Sequence, residues 1–225
     1  RPCSITGCSR TDAGVHALGY VCAVAPADGT VTENWCMVPI GKIHRAFAPL
    51  LPPDISVCAA AQVPDGFHPR YDAVQKEYIY RIWDAPYGDP FARGRSYHSI
   101  RRIAPERLER MQAAAAAYVG QYDFRAFMAG NPGEKDTVRT VMGADVQRGT
   151  DGMIVFSVSA NGFLYNMVRI MTGTLLEAAA GKISPRDIPD IIACGDRNRA
   201  GFTAPPEGLY LRSVQYPEQI LWQCE

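Results

Sequence analysis

Polar and apolar positions alternate most regularly over residues 75–83. Lys76, Tyr78, Tyr80 and Ile82 share one face of a predicted strand, and Glu77, Ile79, Arg81 and Trp83 share the other. The same two-residue period returns at 152–160, with Ile154, Phe156 and Val158 inward and Val155, Ser157 and Ser159 outward. Residues 137–147 read as its partner strand, joined through Gly149-Thr150-Asp151-Gly152. Short runs rich in Val, Ile and Ala predict strands at 19–25 and 55–63, and a last strand falls at about 208–216.

Helical signals interleave with these. Ile43 to Leu51 predicts a short helix stopped by Pro52-Pro53-Asp54. Pro105 at a first helical position opens an Ala-rich helix that ends at Gly120. A helix over about 163–180, closed by Gly181, carries an apolar stripe of Phe163, Met167, Ile170 and Met171, while Asn166, Arg169 and Gly173 lie on a different face. Ser184-Pro185-Arg186-Asp187 has the character of a capping box. The pattern predicts an α+β fold with antiparallel or mixed sheets. The turn-rich stretch 62–74 marks a junction between domains at 1–66 and 67–217, with a tail at 218–225.

Composition refines this picture. The chain has 225 residues, 47% of them hydrophobic and 20% charged, and no run approaches the roughly 20 apolar residues of a membrane span. Seven scattered cysteines without a C-x-x-C pair argue against a disulfide framework or a zinc site and predict a reducing, cytoplasmic setting. His44, His68 and His98 show no ligand spacing, so no metal is expected. Net charge is zero, yet Arg93, Arg95, Arg101, Arg102, Arg107 and Arg110 cluster against only Glu106 and Glu109. By itself such a cluster is a solvated face; with RNA as partner it would supply phosphate contacts.

The candidate chemistry lies near the start, in Ser9-Arg10-Thr11-Asp12-Ala13-Gly14-Val15-His16-Ala17. An Asp beside a cation and backbone N–H groups can be held ionised as a nucleophile or base. Local pattern alone favours a turn or cap role for Asp12, a surface position for Arg169, a core or cross-strand position for Tyr78, and core packing for Leu209. An aspartate-based hydrolase would need a second carboxylate loop, and none is visible. His16 is expected to hold the loop by hydrogen bonding rather than to act as an acid or base.

The run from Arg10 to Ala17 resembles the catalytic motif of the TruA-type tRNA pseudouridine synthases. The resemblance continues in order through Leu51-Pro52-Pro53-Asp54, Phe67-His68-Pro69-Arg70-Tyr71, Lys76-Glu77-Tyr78-Ile79-Tyr80 and Tyr122-Asp123-Phe124. It extends over Val138-Arg139-Thr140-Val141, Asn161-Gly162-Phe163-Leu164 with Met167-Val168-Arg169, and Glu207-Gly208-Leu209-Tyr210-Leu211. It implies two α/β domains with mixed, largely antiparallel sheets flanked by helices and a cleft between them. It implies isomerisation of uridine to pseudouridine in the tRNA anticodon stem-loop (the family's positions 38–40), with no cofactor and a homodimer as the working form.

By the same resemblance Asp12 is the catalytic carboxylate and Arg169 its ion-pair partner. Tyr78 stacks on the target base, Arg10 contacts RNA and fills the space of the extruded nucleotide, and Leu209 lines the base pocket. Arg93, Arg95, Arg101 and Arg102 become candidate RNA contacts. The chain departs from the family at Ser9, where Gly is usual, and in lacking the strand and helix that precede the catalytic run. It is therefore expected to be N-terminally truncated, and an inactive tRNA-binding module is the alternative reading.

Overall fold

A computed structural model describes residues 2–29, 36–130 and 136–217. In chain order its strands are β1 (Cys3–Gly7), β2 (His16–Ala17), β3 (Cys22–Pro26), β4 (Gln75–Trp83), β5 (Tyr97–His98), β6 (Gly120–Asp123), β7 (Val138–Arg148), β8 (Ile154–Ala160) and β9 (Leu209–Gln215). The helices are α1 (Ile43–Phe47), α2 (Pro105–Ala116), α3 (Met167–Ala179) and α4 (Ile188–Cys194).

Two compact units form. One gathers Arg1–Ser9, Val21–Val74 and Gln215–Glu225, the other Arg10–Tyr20 and Gln75–Val214. The segment that carries Asp12 therefore clusters with the larger unit, and residues 67–74 with the smaller, unlike the division at 66/67. The tail expected at 218–225 lies outside the described residues.

The larger unit is built on a sheet of order β2-β9-β4-β8-β7-β6, with β5 beside β4. β4 to β8, β8 to β7 and β7 to β6 are antiparallel, while β2 to β9 and β5 to β4 are parallel. On β4 every second residue is buried, beginning with Lys76. Tyr80 sits opposite Phe156 and Ile82 opposite Ile154, all four fully buried. α2 contributes Met111, Ala114 and Ala115 to the core, and α3 contributes Met167, Ile170, Met171 and Leu175. Each large apolar side chain removed from water stabilises the fold by about 1.5–3 kcal/mol.

In the smaller unit β1 pairs antiparallel with β3, Cys3 opposite Pro26 and Gly7 opposite Cys22. Residues 55–63, predicted as a strand, run without a ladder; only Ala60 makes an isolated bridge. The flanking Pro53 and Pro64 lack the N–H donors that would extend one.

Two helix boundaries also differ from the sequence reading. α2 stops at Ala116, because Gly120, at φ 134°, begins a strand that the hydrophobic pattern does not reveal. α3 begins at Met167 rather than 163, because Asn166 is left-handed, at φ 59°. The capping box is present: Ser184 Oγ accepts from the Arg186 N–H at 3.3 Å, and Asp187 Oδ2 accepts from the Ser184 N–H at 3.2 Å. It caps the short turn that runs into α4. No helix among the described residues is long and apolar enough to cross a membrane.

Candidate active site

Asp12 opens a tight turn in which the Val15 N–H donates to the Asp12 carbonyl at 3.1 Å. Gly14 takes φ 82° there, a conformation that costs other residues. The chain then enters β2, where His16 and Ala17 pair with Tyr210 and Leu211 of β9, and the Leu18 N–H donates to the Leu211 carbonyl at 2.8 Å. The carboxylate is thus anchored at one edge of the large sheet.

Arg169, in the first turn of α3, reaches that carboxylate. Its Nη1 donates to Asp12 Oδ2 at 3.1 Å and to Asn166 Oδ1 at 2.9 Å. Its Nε donates to the Ala204 carbonyl at 2.7 Å, and the Ala204 N–H donates back to the Arg169 carbonyl at 3.1 Å. The two charged side chains are 16% and 32% exposed, sheltered enough for a charge-assisted hydrogen bond to be little screened.

The strap that supplies Ala204 lies directly on α3. A Cβ on Gly173 would overlap the Phe202 carbonyl, and one on Gly201 would fall 2.6 Å from the Gly173 carbonyl carbon. The Gly201 N–H donates to Thr174 Oγ1 at 2.8 Å, while Arg197 donates to the Gly201 carbonyl at 2.8 Å and to Thr203 Oγ1 at 3.2 Å. Beyond the strap, Tyr80 donates to the Pro205 carbonyl at 2.7 Å. Burial, with Glu207 and Tyr97 nearby, pushes its phenol far up against the opposing pull of Arg169, so it remains a neutral donor.

Leu209 opens β9, the strand next to β2, and is 7% exposed. Tyr78 lies on β4, one strand further in, 6% exposed, its ring edge-on to Phe163 at 5.0 Å between centroids. Arg10 is exposed two residues before Asp12. Of the residues singled out from sequence, Asp12 and Arg169 bond directly. The acceptor roles of Asn166 and Ala204 escape sequence reasoning; the shared face of Asn166 and Arg169 was the only signal of the former.

His16 fastens the turn to the arginine-bearing loop. Its Nε2 donates to the Gly94 carbonyl at 2.8 Å, and Tyr210 donates to the Arg95 carbonyl at 2.6 Å. The base of that loop is closed by Asp84, which accepts from Arg148 at 2.6 and 2.8 Å and from the Ile103 N–H at 2.7 Å. Burial would raise the Asp84 carboxyl. The hydrogen bonds from Arg148 and Ile103, with the guanidinium charge, outweigh that and hold it below its ordinary value. Arg93, Arg95, Arg101 and Arg102 all remain exposed. A groove of about 340 Å³ lined by Tyr122, Arg125, Ile192 and Cys194 includes none of the residues singled out as candidates.

The site thus presents a sheltered carboxylate held through one oxygen by a guanidinium that Ala204 and Asn166 also hold, on a mixed sheet flanked by helices. Residues 114–217 match the family model for tRNA pseudouridine synthase. A protein of Ruminiclostridium cellulolyticum named tRNA pseudouridine synthase A is 43% identical over 213 residues, spanning 94% of this chain and 82% of that relative. One from Geotalea uraniireducens with the same name is 40% identical, spanning 96% and 83%. The chain belongs to the TruA-type tRNA pseudouridine synthase family, isomerases that convert uridine to pseudouridine in tRNA.

Proposed function

We propose that this chain isomerises uridine to pseudouridine in the anticodon stem-loop of tRNA, with Asp12 as the reacting carboxylate. The observation that carries this is the Asp12–Arg169 pair, 3.1 Å apart across a chain separation of 157 residues. The reaction breaks the N-glycosidic bond of uridine, turns the uracil, and rejoins it through carbon, so substrate and product have the same atoms and no external oxidant or reductant enters. Arg169 keeps the carboxylate oriented by holding Oδ2. Tyr78, its ring fixed against Phe163, offers an aromatic face to the extruded base, and Leu209 an apolar wall. Arg10 contacts the RNA and fills the vacated space.

The loop between Asp84 and Ile103 then meets the phosphate backbone through Arg93, Arg95, Arg101 and Arg102. Tyr87 and Phe91 are 70% and 90% exposed on the same loop, where bases can stack on them. A homodimer acting in the cytoplasm is part of the same proposal. The intact ion pair weighs against an inactive binding module, which would have no chemical need of it.

Incubation with unmodified tRNA, followed by chemical mapping of pseudouridine, tests the proposal. The chain should modify anticodon stem-loop uridines, and Asp12→Ala should bind tRNA without modifying it. Pseudouridine formation by Asp12→Ala would overturn the role of the carboxylate.

A further inference from the structure

Asn166 is the one non-glycine residue with positive φ among the described residues, at φ 59° and ψ 10°. It stands at the N-cap of α3, a position where Asn commonly bonds the helix's unpaired N–H groups. Here it makes no such bond. Its Oδ1 instead accepts from Arg169 Nη1 at 2.9 Å, the same nitrogen that donates to Asp12 Oδ2 at 3.1 Å. Its backbone carbonyl meanwhile accepts the Ile170 N–H at 3.0 Å. The backbone pays a conformational cost, and the side chain is spent on the guanidinium rather than on the helix.

We infer that Asn166 is a positioning residue. Its neutral amide oxygen and the Ala204 carbonyl fix the Arg169 guanidinium from two sides, so that Nη1 presents a hydrogen to Asp12 in one orientation. The acceptor is uncharged, which leaves Asp12 the only carboxylate on that nitrogen among the described residues. An acidic residue here would compete with Asp12 for it. The left-handed backbone brings the amide beside a residue only three positions further on, while the helix itself begins at Met167. This inference rests on the proposed reaction.

The test separates side chain from backbone. Asn166→Gly keeps the left-handed conformation at no steric cost and removes the acceptor; Asn166→Ala removes both. If the amide positions Arg169, both variants should lose kcat on tRNA on the order of tenfold, with KM unchanged, and Asn166→Ala should lower the thermal midpoint further than Asn166→Gly does. Asn166→Asp should lose at least as much kcat as the glycine variant. If only the backbone matters, Asn166→Gly will turn over like the parent, and that result overturns the inference, as does a loss confined to KM.

The Arg169 Nε–H signal in an isotope-labelled nitrogen–proton NMR spectrum gives a readout without turnover. It should be sharp and slow to exchange in the parent, and broadened in Asn166→Gly; an unchanged signal also overturns the inference. A parent chain that forms no pseudouridine would defeat the functional proposal, while the NMR comparison would still decide the positioning role.

Discussion

His16 lies against Tyr210 with ring centroids 4.7 Å apart and planes 25° from parallel, and each ring directs its polar atom to a neighbouring carbonyl of one loop, Gly94 and Arg95. The turn that carries Asp12 and the arginine loop are thereby held in register. Tyr210→Phe keeps the stack and removes only the bond to Arg95. It should cost about 1 kcal/mol of stability and weaken tRNA binding several-fold with kcat little changed. Thermal unfolding and equilibrium binding check both effects.

The arginines of that loop make a separate prediction. Neutralising Arg93 and Arg95 together should weaken binding to all tRNAs alike and flatten the dependence of log affinity on log salt by about 0.7–0.9 per lost phosphate contact. Titrations at several salt concentrations measure the slope. An unchanged slope would place these side chains away from the RNA.

Asp84 closes the base of the loop with its carboxyl held below the ordinary range. A group whose folded value is depressed adds stability above its unfolded pKa of about 3.9, and loses it as pH falls through the lower folded value. The parent should therefore lose stability progressively below about pH 4, and Asp84→Asn should remove part of that slope. The same substitution leaves Arg148 without its carboxylate and should cost about 3 kcal/mol at neutral pH. Denaturant titrations at neutral and acidic pH give both numbers.

Gly173→Ala would drive a methyl group into the Phe202 carbonyl. Overpacking of this kind costs about 1–3 kcal/mol. Because the displaced strap carries Ala204, which accepts from Arg169 Nε, activity should fall along with stability. Single-turnover rates at a temperature where the variant is still folded separate the two losses.

Sequence periodicity located β4 and β8 because each alternates strictly between a buried and a half-buried face, whereas β7, irregular in burial, was legible as the hairpin partner of β8. It overran the start of α3 because Phe163 and Leu164 continue the apolar pattern back past Asn166. Nothing in a hydrophobic pattern announces a left-handed residue. β6 escaped because three of its four residues are exposed. The pairing of Asp12 with Arg169 was beyond any local reading, since 157 residues separate a turn at the sheet edge from the first turn of α3. Only the resemblance to a family joined them.

That separation bears on when the chain becomes competent. Asp12 is made before the guanidinium it bonds, which stands 157 residues later, and β9 follows later still. Closing so long a loop before its contacts exist is entropically unfavourable. A nascent chain halted before β9 therefore holds the carboxylate without the strand that seats it. If Asp12 is the reacting carboxylate, the order of translation withholds its chemistry on RNA until β9 has been made.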